Sequence, residues 1–171
     1  MHMEPTVQSA LLRVPRVVRG LNVGYAVFNV SLTVGWLIVL FRARDPRYHV
    51  LRRACVLAHV GAQPVFLLFP TSPPRALDGY VDTLSELSGL DLEHPLLVRF
   101  YNPVAAMPSL HVAFATITGA AMAESAGSAV GTVAARAYAP LVALVVAGTG
   151  NHYVLDAVVG AALGRAVWRF A

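Results

Sequence analysis

The chain has 171 residues, the size of one domain, and 57% of them are hydrophobic. Its mean hydropathy of +0.62 is too high for an ordinary water-soluble domain. The single cysteine, Cys55, excludes an internal disulfide, and the net charge of +4 comes from arginines that cluster at the ends of apolar runs. Membrane orientation explains this charge better than nucleic-acid binding does. We therefore predict one integral-membrane domain over residues 1–171, an all-α bundle of five or six transmembrane helices.

The N-terminal segment is predicted to lie on the membrane surface before the first span begins. Residues 1–20 carry three arginines at every third position among leucines and valines, a pattern typical of an interfacial helix, here bent by Pro15. The first span runs from about Leu21 to Phe41, since about 20 apolar residues cross a bilayer. Arginines between residues 42 and 53 form the densest basic cluster and are expected in the cytoplasm.

A second span is predicted over His49 to Phe69, with His59 and Gln63 one helical turn apart. This pair indicates either a functional site or a hydrogen bond between helices. Residues 70–107 are acidic and are predicted to form an extracytoplasmic loop. This loop has apolar residues at helical spacing: Leu77, Val81, Leu84 and Leu87. They predict a short amphipathic helix, which either shapes a substrate entrance or is a solvated connector.

Three further spans are predicted, over Ser109–Met122, Thr132–Gly148 and His152–Trp168. Counting crossings puts His111 and His152 on one side and most arginines on the other, so the positive-inside rule places the two histidines outside the cytoplasm. Five spans also put the N-terminal arginines outside. Either those arginines bind lipid headgroups, or the number of spans differs by one.

Polar residues stand at the start of two of these apolar runs. His152 and Asp156 are four apart, so on a helix they share a face and the carboxylate can orient the imidazole. The other ring nitrogen is then free to attack or to accept a proton. Ser109 suits a helix N-cap, and the unpaired N–H groups that follow form a natural anion site. His111, in the first turn, is placed to protonate the leaving oxygen of a bound phosphate.

These stretches resemble a known family. Pro108-Ser109-Leu110-His111 and His152-Tyr153-Val154-Leu155-Asp156 resemble the second and third motifs of the type 2 phosphatidic acid phosphatase superfamily. The closest resemblance is to its inositol phosphorylceramide synthase-like and sphingomyelin synthase-like branch. In that branch the third motif is His-Tyr-x-x-Asp, and a Pro-Thr-x-Pro-Pro-Arg stretch precedes the second motif. This chain has Pro70-Thr71-Ser72-Pro73-Pro74-Arg75.

The resemblance implies that His152 is a nucleophile forming a phosphohistidine, that Asp156 orients it and that His111 protonates the leaving alcohol. It implies further that Ser109 and Arg75 bind the phosphate and that no metal or other cofactor is needed.

The chain also departs from the superfamily. It has no lysine, and Val145 and Val146 stand where a Ser-Arg pair is usual. Arg99, Asn102 and Asn151 are candidates to supply the missing donors, since phosphoryl transfer needs them.

The predicted function is therefore an integral-membrane lipid phosphatase or phosphotransferase, with water or an alcohol as acceptor. Its partners are a membrane lipid phosphate and the bilayer, with no nucleic acid, and the sequence does not predict an oligomeric state. One alternative is an intramembrane serine protease with Ser109 as nucleophile and His152 as base. Another is a metal-binding or transport protein using the side chains of three histidines and an aspartate: His59, His111, His152 and Asp156.

Overall fold

The structure is a computed structural model that describes residues 4–92, 94–96 and 102–171. Within these ranges it contains eight α-helices: α1 (Glu4–Leu12), α2 (Pro15–Val23), α3 (Asn29–Arg42), α4 (Arg47–Leu68), α5 (Thr83–Ser88), α6 (Leu110–Ser125), α7 (Ala129–Gly148) and α8 (Val154–Phe170). A π-helical turn, Gly24–Phe28, joins α2 to α3, and Pro74–Ala76 forms a 3₁₀ turn. The predicted all-α fold is confirmed.

Few of these helices meet a simple length and hydropathy test for crossing a membrane. Among the described residues, α7 passes it alone, and Pro15–Val27 with Val30–Arg42 passes as one pair bent by 46°. Helices α6 and α8 have 16 and 17 residues, fewer than the ~20 that a perpendicular span needs. Five or six spans therefore stay a prediction.

Helix α6 lies at the centre of the bundle and contacts α3, α4, α7 and α8. Glycines allow the close approach of its two main neighbours. A Cβ on Gly119 would lie 2.7 Å from the carbonyl oxygen of Ala135 in α7. On α8, a Cβ on Gly160 would overlap the carbonyl of Ser109, and one on Gly164 would lie 2.6 Å from that of Ala113. The Gly160-x-x-x-Gly164 spacing is the small-residue pattern of closely packed membrane helices.

The N-terminal segment consists of two helices rather than one bent helix. Pro15 is the first residue of α2, where its missing N–H costs nothing, so the chain breaks there instead of bending. Both helices contact the segment between α4 and α6: Gln8 exchanges two hydrogen bonds with the backbone of Val81, and Asn22 exchanges two with Thr83 at the start of α5.

The predicted amphipathic helix is shorter than expected. Helix α5 begins after Asp82, whose side chain accepts hydrogen bonds from Leu84 and Ser85, and it ends at the left-handed Gly89. Leu77 and Val81 lie before it, because the chain turns at Gly79 with φ of +90°. Only part of the segment with helical spacing of apolar residues is therefore helical.

The bundle has two distinct ends. At one end, the α3–α4 turn, the α6–α7 turn and the end of α8 meet: Arg47 donates to the Glu124 carbonyl, and the Trp168 indole donates to the Glu124 carboxylate. At the other end lie α1, α2, α5 and the starts of α6 and α8. We call the latter the motif end, because the predicted site residues on α6 and α8 are found there.

Candidate active site

The first part of the site is a short parallel bridge between the two loop segments that flank residues 77–102. The Thr71 amide donates to the Val104 carbonyl at 2.8 Å, and the Ala106 amide donates to the Thr71 carbonyl at 3.0 Å. This bridge brings the Pro-Thr-Ser-Pro-Pro-Arg stretch next to the residues that lead into α6. Two motifs that are separate in sequence thus become one surface.

Ser109 is the N-cap of α6, as predicted, and its hydroxyl accepts a hydrogen bond from the Val112 amide. The Ser109 amide donates to the carbonyl of Asp156 at 3.0 Å, which fixes the start of α6 against the first turn of α8. Ser109 is fully buried. His111 follows in the first turn of α6, where the helix dipole is positive.

The end of α7 places His152. Gly150 adopts a left-handed φ of +74°, its amide donates to the Ala147 carbonyl, and the next amide, of Asn151, donates to the Val146 carbonyl. This pairing is a Schellman motif, which ends a helix with a defined exit direction. The His152 amide also donates to the Val146 carbonyl, so the backbone of His152 is held at the helix end.

His152 itself lies before α8, not on it, and this corrects the prediction that His152 and Asp156 share one helical face. Its Nδ1 lies 2.8 Å from the carbonyl oxygen of Ala106 and 3.6 Å from Asp156 Oδ2. A carbonyl only accepts hydrogen bonds, so Nδ1 carries the proton and Nε2 keeps its lone pair. Asp156 accepts from the Tyr153 amide at 2.9 Å and caps α8.

The two histidines meet although they are far apart in sequence. The ring centroids of His111 and His152 are 5.7 Å apart, with an edge-to-face angle of 62°. His111 also stacks on the ring of Tyr25, with the two ring centroids 4.5 Å apart. The structure therefore brings the predicted nucleophile and the predicted acid into one site.

Arg75 belongs to the same cluster. Its side chain is almost fully buried, and its Nη1 donates to Asn151 Oδ1 at 2.9 Å. Its amide donates to the Gly150 carbonyl, and its Nε lies 3.6 Å from the Asp82 carboxylate. Asn151 in turn donates to the Thr149 hydroxyl. Asn151, the residue before His152, thus holds the guanidinium in place, and its part in phosphate binding stays a prediction.

Asn102 does not join this cluster in the described part of the chain. It is exposed, and its side chain accepts from the amide of Val104 in a local turn. Asn residues commonly make such turns, which explains its presence without a phosphate. Arg99, the other candidate donor, lies outside the described residues.

The structure bears on both alternative functions. Among the described residues, no group of three or more His, Cys, Asp or Glu side chains is placed to hold a metal ion. His59 is exposed on α4 and contacts Gln63 within the same helix, which is not the hydrogen bond between helices suggested by the sequence. The Ser109 hydroxyl is engaged as a helix cap, the ordinary structural role of a serine at that position.

Two features of the site were not found from the sequence. The carbonyl of Ala106 carries no side-chain signal at all, although its place two residues before Pro108 marks a turn. Tyr25 was overlooked because it lies far from the motifs, in a segment read only as apolar; the polar Asn22 three residues before it was an available signal of a buried network.

A family model described as the PAP2 superfamily matches residues 1–170. The match covers the N-terminal third, which the two motifs did not reach. No curated protein and no solved structure matches the chain.

Proposed function

Since the chain belongs to the PAP2 superfamily, we propose that it is an integral-membrane enzyme that removes or transfers the phosphoryl group of a lipid phosphate through a covalent phosphohistidine. Membership of the superfamily indicates a phosphatase-type activity. The observation that supports the covalent step is the hydrogen bond from His152 Nδ1 to the Ala106 carbonyl, which leaves a lone pair on Nε2 of a ring that packs against His111.

In the first step of this proposal, Nε2 of His152 attacks the phosphorus atom. An N–P bond forms while the P–O bond to the lipid alcohol breaks, and the electron pair of that bond leaves on the alcohol oxygen. The negative charge of the bound phosphate favours the protonated form of His111, which gives its proton to this oxygen, so that a neutral alcohol departs. The carboxylate of Asp156 stabilises the positive charge that develops on the His152 ring.

In the second step, neutral His111 takes a proton from water or from an acceptor alcohol. The oxygen attacks phosphorus, the N–P bond breaks, and its electron pair returns to Nε2 of His152. When water is the acceptor, the product is inorganic phosphate. When an alcohol is the acceptor, the product is a new phosphate ester. The superfamily match does not distinguish hydrolysis from transfer, and the inositol phosphorylceramide synthase-like branch stays a prediction.

Positive charge for the phosphoryl oxygens comes from Arg75 and from the N-terminus of α6. Arg75 is held in place by Asn151, next to the nucleophile. The first turn of α6 contributes backbone N–H groups and the positive end of the helix dipole. These donors stand in for the cationic residues that the superfamily motifs normally carry.

A groove between α7 and α8 supports a lipid as the substrate. It has a volume of about 1500 Å³ and is lined mainly by apolar side chains of α6, α7 and α8. At the motif end, its lining includes Val112 and Ala157, the direct neighbours of His111 and Asp156. We propose that the acyl chain of the substrate lies in this groove while its phosphate is at the histidines.

Exposed apolar side chains support a position within the bilayer. Large apolar residues of α4, α7 and α8 are more than half exposed, such as Leu67, Val130 and Val158. A surface of this kind is typical of contact with lipid. We propose that α2–α3, α4, α6, α7 and α8 form five crossings, with the motif end outside the cytoplasm and with Arg13, Arg16 and Arg19 at the outer headgroups.

Turnover of a panel of lipid phosphates by the purified protein, with chelator present, tests this function. We expect turnover by the wild type and none by His152→Ala. The matched control is His59→Ala, because His59 is exposed on α4 and its side chain lies beside Gln63 of the same helix; this variant should keep wild-type rates. Turnover that survives in His152→Ala would contradict the proposal.

A further inference from the structure

Tyr25 contacts the proposed general acid, although it lies outside every motif of the site. We propose that Tyr25 is a positioning residue that fixes the ring plane of His111 so that its proton reaches the leaving oxygen. This inference rests on the proposed function, since it assigns Tyr25 a role in the same reaction.

The geometry of the three rings carries the inference. Tyr25 and His111 are stacked with ring centroids 4.5 Å apart and an interplanar angle of 27°. His152 contacts His111 edge to face at 5.7 Å. Both separations lie within the range at which aromatic pairs have a preferred orientation. The His111 ring is therefore restrained by one face contact and one edge contact.

Tyr25 is itself held firmly. It is buried, with 5% of its surface exposed, in a cluster that includes Val112 and Ala157 beside the site. It lies in the π-helical turn Gly24–Phe28, a rare conformation that is frequent at functional sites.

The helix before this turn is tied to the motif end by polar contacts. The Asn22 amide group donates to the Thr83 carbonyl at 2.6 Å and to the Ser88 hydroxyl at 2.8 Å. The Thr83 hydroxyl donates back to Asn22 and approaches the Thr149 carbonyl at 3.2 Å, three residues before the nucleophile. The segment that carries Tyr25 is thus tied to the same loop that carries His152.

The consequence for catalysis depends on the leaving group. A general acid acts only within hydrogen-bond reach of the oxygen that it protonates, and a displacement of about 1 Å can cost on the order of 100-fold in rate. An alkoxide is a poor leaving group and needs this proton. A nitrophenolate spreads its negative charge over the ring, so its departure needs the proton far less.

The experiment compares two phosphate monoesters that carry the same alkyl chain. In one, the leaving group is an aliphatic alcohol; in the other, it is a nitrophenol that bears the chain on its ring. We expect Tyr25→Leu to lower kcat for the alkyl ester by about 10- to 100-fold and for the nitrophenyl ester by about twofold or less. Tyr25→Phe keeps the stacked ring and should lose far less activity on the alkyl ester than Tyr25→Leu does. Tyr138→Leu is the matched control, because Tyr138 is an aromatic residue of α7 that packs against the same apolar cluster.

The outcomes distinguish failure of the role of Tyr25 from failure of the proposed function. An equal loss on both esters in Tyr25→Leu, or a leaving-group-dependent loss in Tyr138→Leu, would show that general packing is responsible and would overturn the role of Tyr25. Either result leaves the proposed function intact, provided that His152→Ala is inactive on both esters. Full activity of His152→Ala would remove the proposed function and, with it, the role of Tyr25.

Discussion

At His152, the hydrogen bond from Nδ1 goes to the carbonyl of Ala106, and the Asp156 carboxylate lies farther away, at 3.6 Å. In a histidine nucleophile, the hydrogen-bond partner of one ring nitrogen decides which of the two nitrogens carries the proton. Here that partner is a backbone group, which mutation of a side chain does not remove. The carboxylate is therefore needed for charge stabilisation more than for tautomer choice.

This division of roles predicts a partial defect for Asp156→Asn. The amide oxygen of asparagine can still accept from the Tyr153 amide, so the cap of α8 should survive. Losing a charged partner of the imidazole costs about 1.5–3 kcal/mol, which corresponds to roughly 10- to 100-fold in kcat. Steady-state turnover measures this loss. Complete inactivity in a variant with wild-type thermal stability would contradict the role of the Ala106 carbonyl.

Ser109→Ala separates a helix cap from a nucleophile. Loss of the cap should lower the free energy of unfolding by about 1 kcal/mol, which thermal unfolding in detergent measures. The covalent intermediate should still form, because the proposed bond is to His152. Failure of the variant to trap any phosphate on the protein would favour the serine as the nucleophile.

At the scale of the elements, the contact between α6 and α8 depends on the absence of side chains. The carbonyl of Ser109 lies where a Cβ on Gly160 would be, and Ser109 is also the cap before His111. Packing and catalysis are thereby coupled, because any widening of this contact moves the start of α6 away from the loop that carries His152.

Gly160→Ala tests this coupling. The methyl group should force the helices apart, lower the free energy of unfolding by about 1–3 kcal/mol and reduce turnover. Gly35→Ala is the matched control: Gly35 lies in α3, and nothing lies within 4 Å of the place that a Cβ would take, so alanine there should be neutral or slightly stabilising. Thermal unfolding of both variants gives the comparison, and equal stability of the two would contradict the close contact.

The turn between α3 and α4 holds an ion pair far from the site. Hydrogen bonds from Arg47 lower the pKa of Asp45 from its ordinary 3.8 to about 2. Since the pKa is lower in the folded state, the pair stabilises the fold above about pH 4, and this contribution is lost as the pH falls through 2. Asp45→Asn should therefore lower the melting temperature at pH 7 and have a much smaller effect at pH 2. A constant difference across this range would contradict the ion pair.

At the scale of the whole molecule, the bundle combines a polar site at one end with an apolar groove that leads away from it. Ala162 lines this groove on α8, whereas Ala166, one turn further on, is also exposed but does not line it. The pair allows the proposed acyl-chain site to be tested within one helix.

Ala162→Phe should raise KM for a long-chain lipid phosphate and leave a short-chain one unaffected, because the phenyl ring fills the groove. Ala166→Phe should leave both unchanged. Kinetics with the two substrates measure the difference. Equal effects of the two variants would show that the acyl chain lies elsewhere.

Much of this architecture could be predicted from the sequence. The apolar runs predicted α7 and α8 to within three residues at each end, and Ser109 and His111 were correctly assigned to the start of α6. Contacts between distant segments could not be predicted, because periodicity describes one helix at a time. The pairing of Gln8 with Val81, the Thr71–Ala105 bridge and the stack of Tyr25 on His111 are all of this kind.

The measurement that tests the central claim most directly is the chemical identity of the covalent intermediate. The protein is reacted with a radiolabelled lipid phosphate and quenched, and the label is located by peptide mapping and by phosphorus NMR, which distinguishes the two ring nitrogens. The hydrogen bond to Ala106 predicts an acid-labile phosphoryl group on Nε2 of His152. A phosphoryl group on Nδ1, on His111 or on Ser109 would contradict the account.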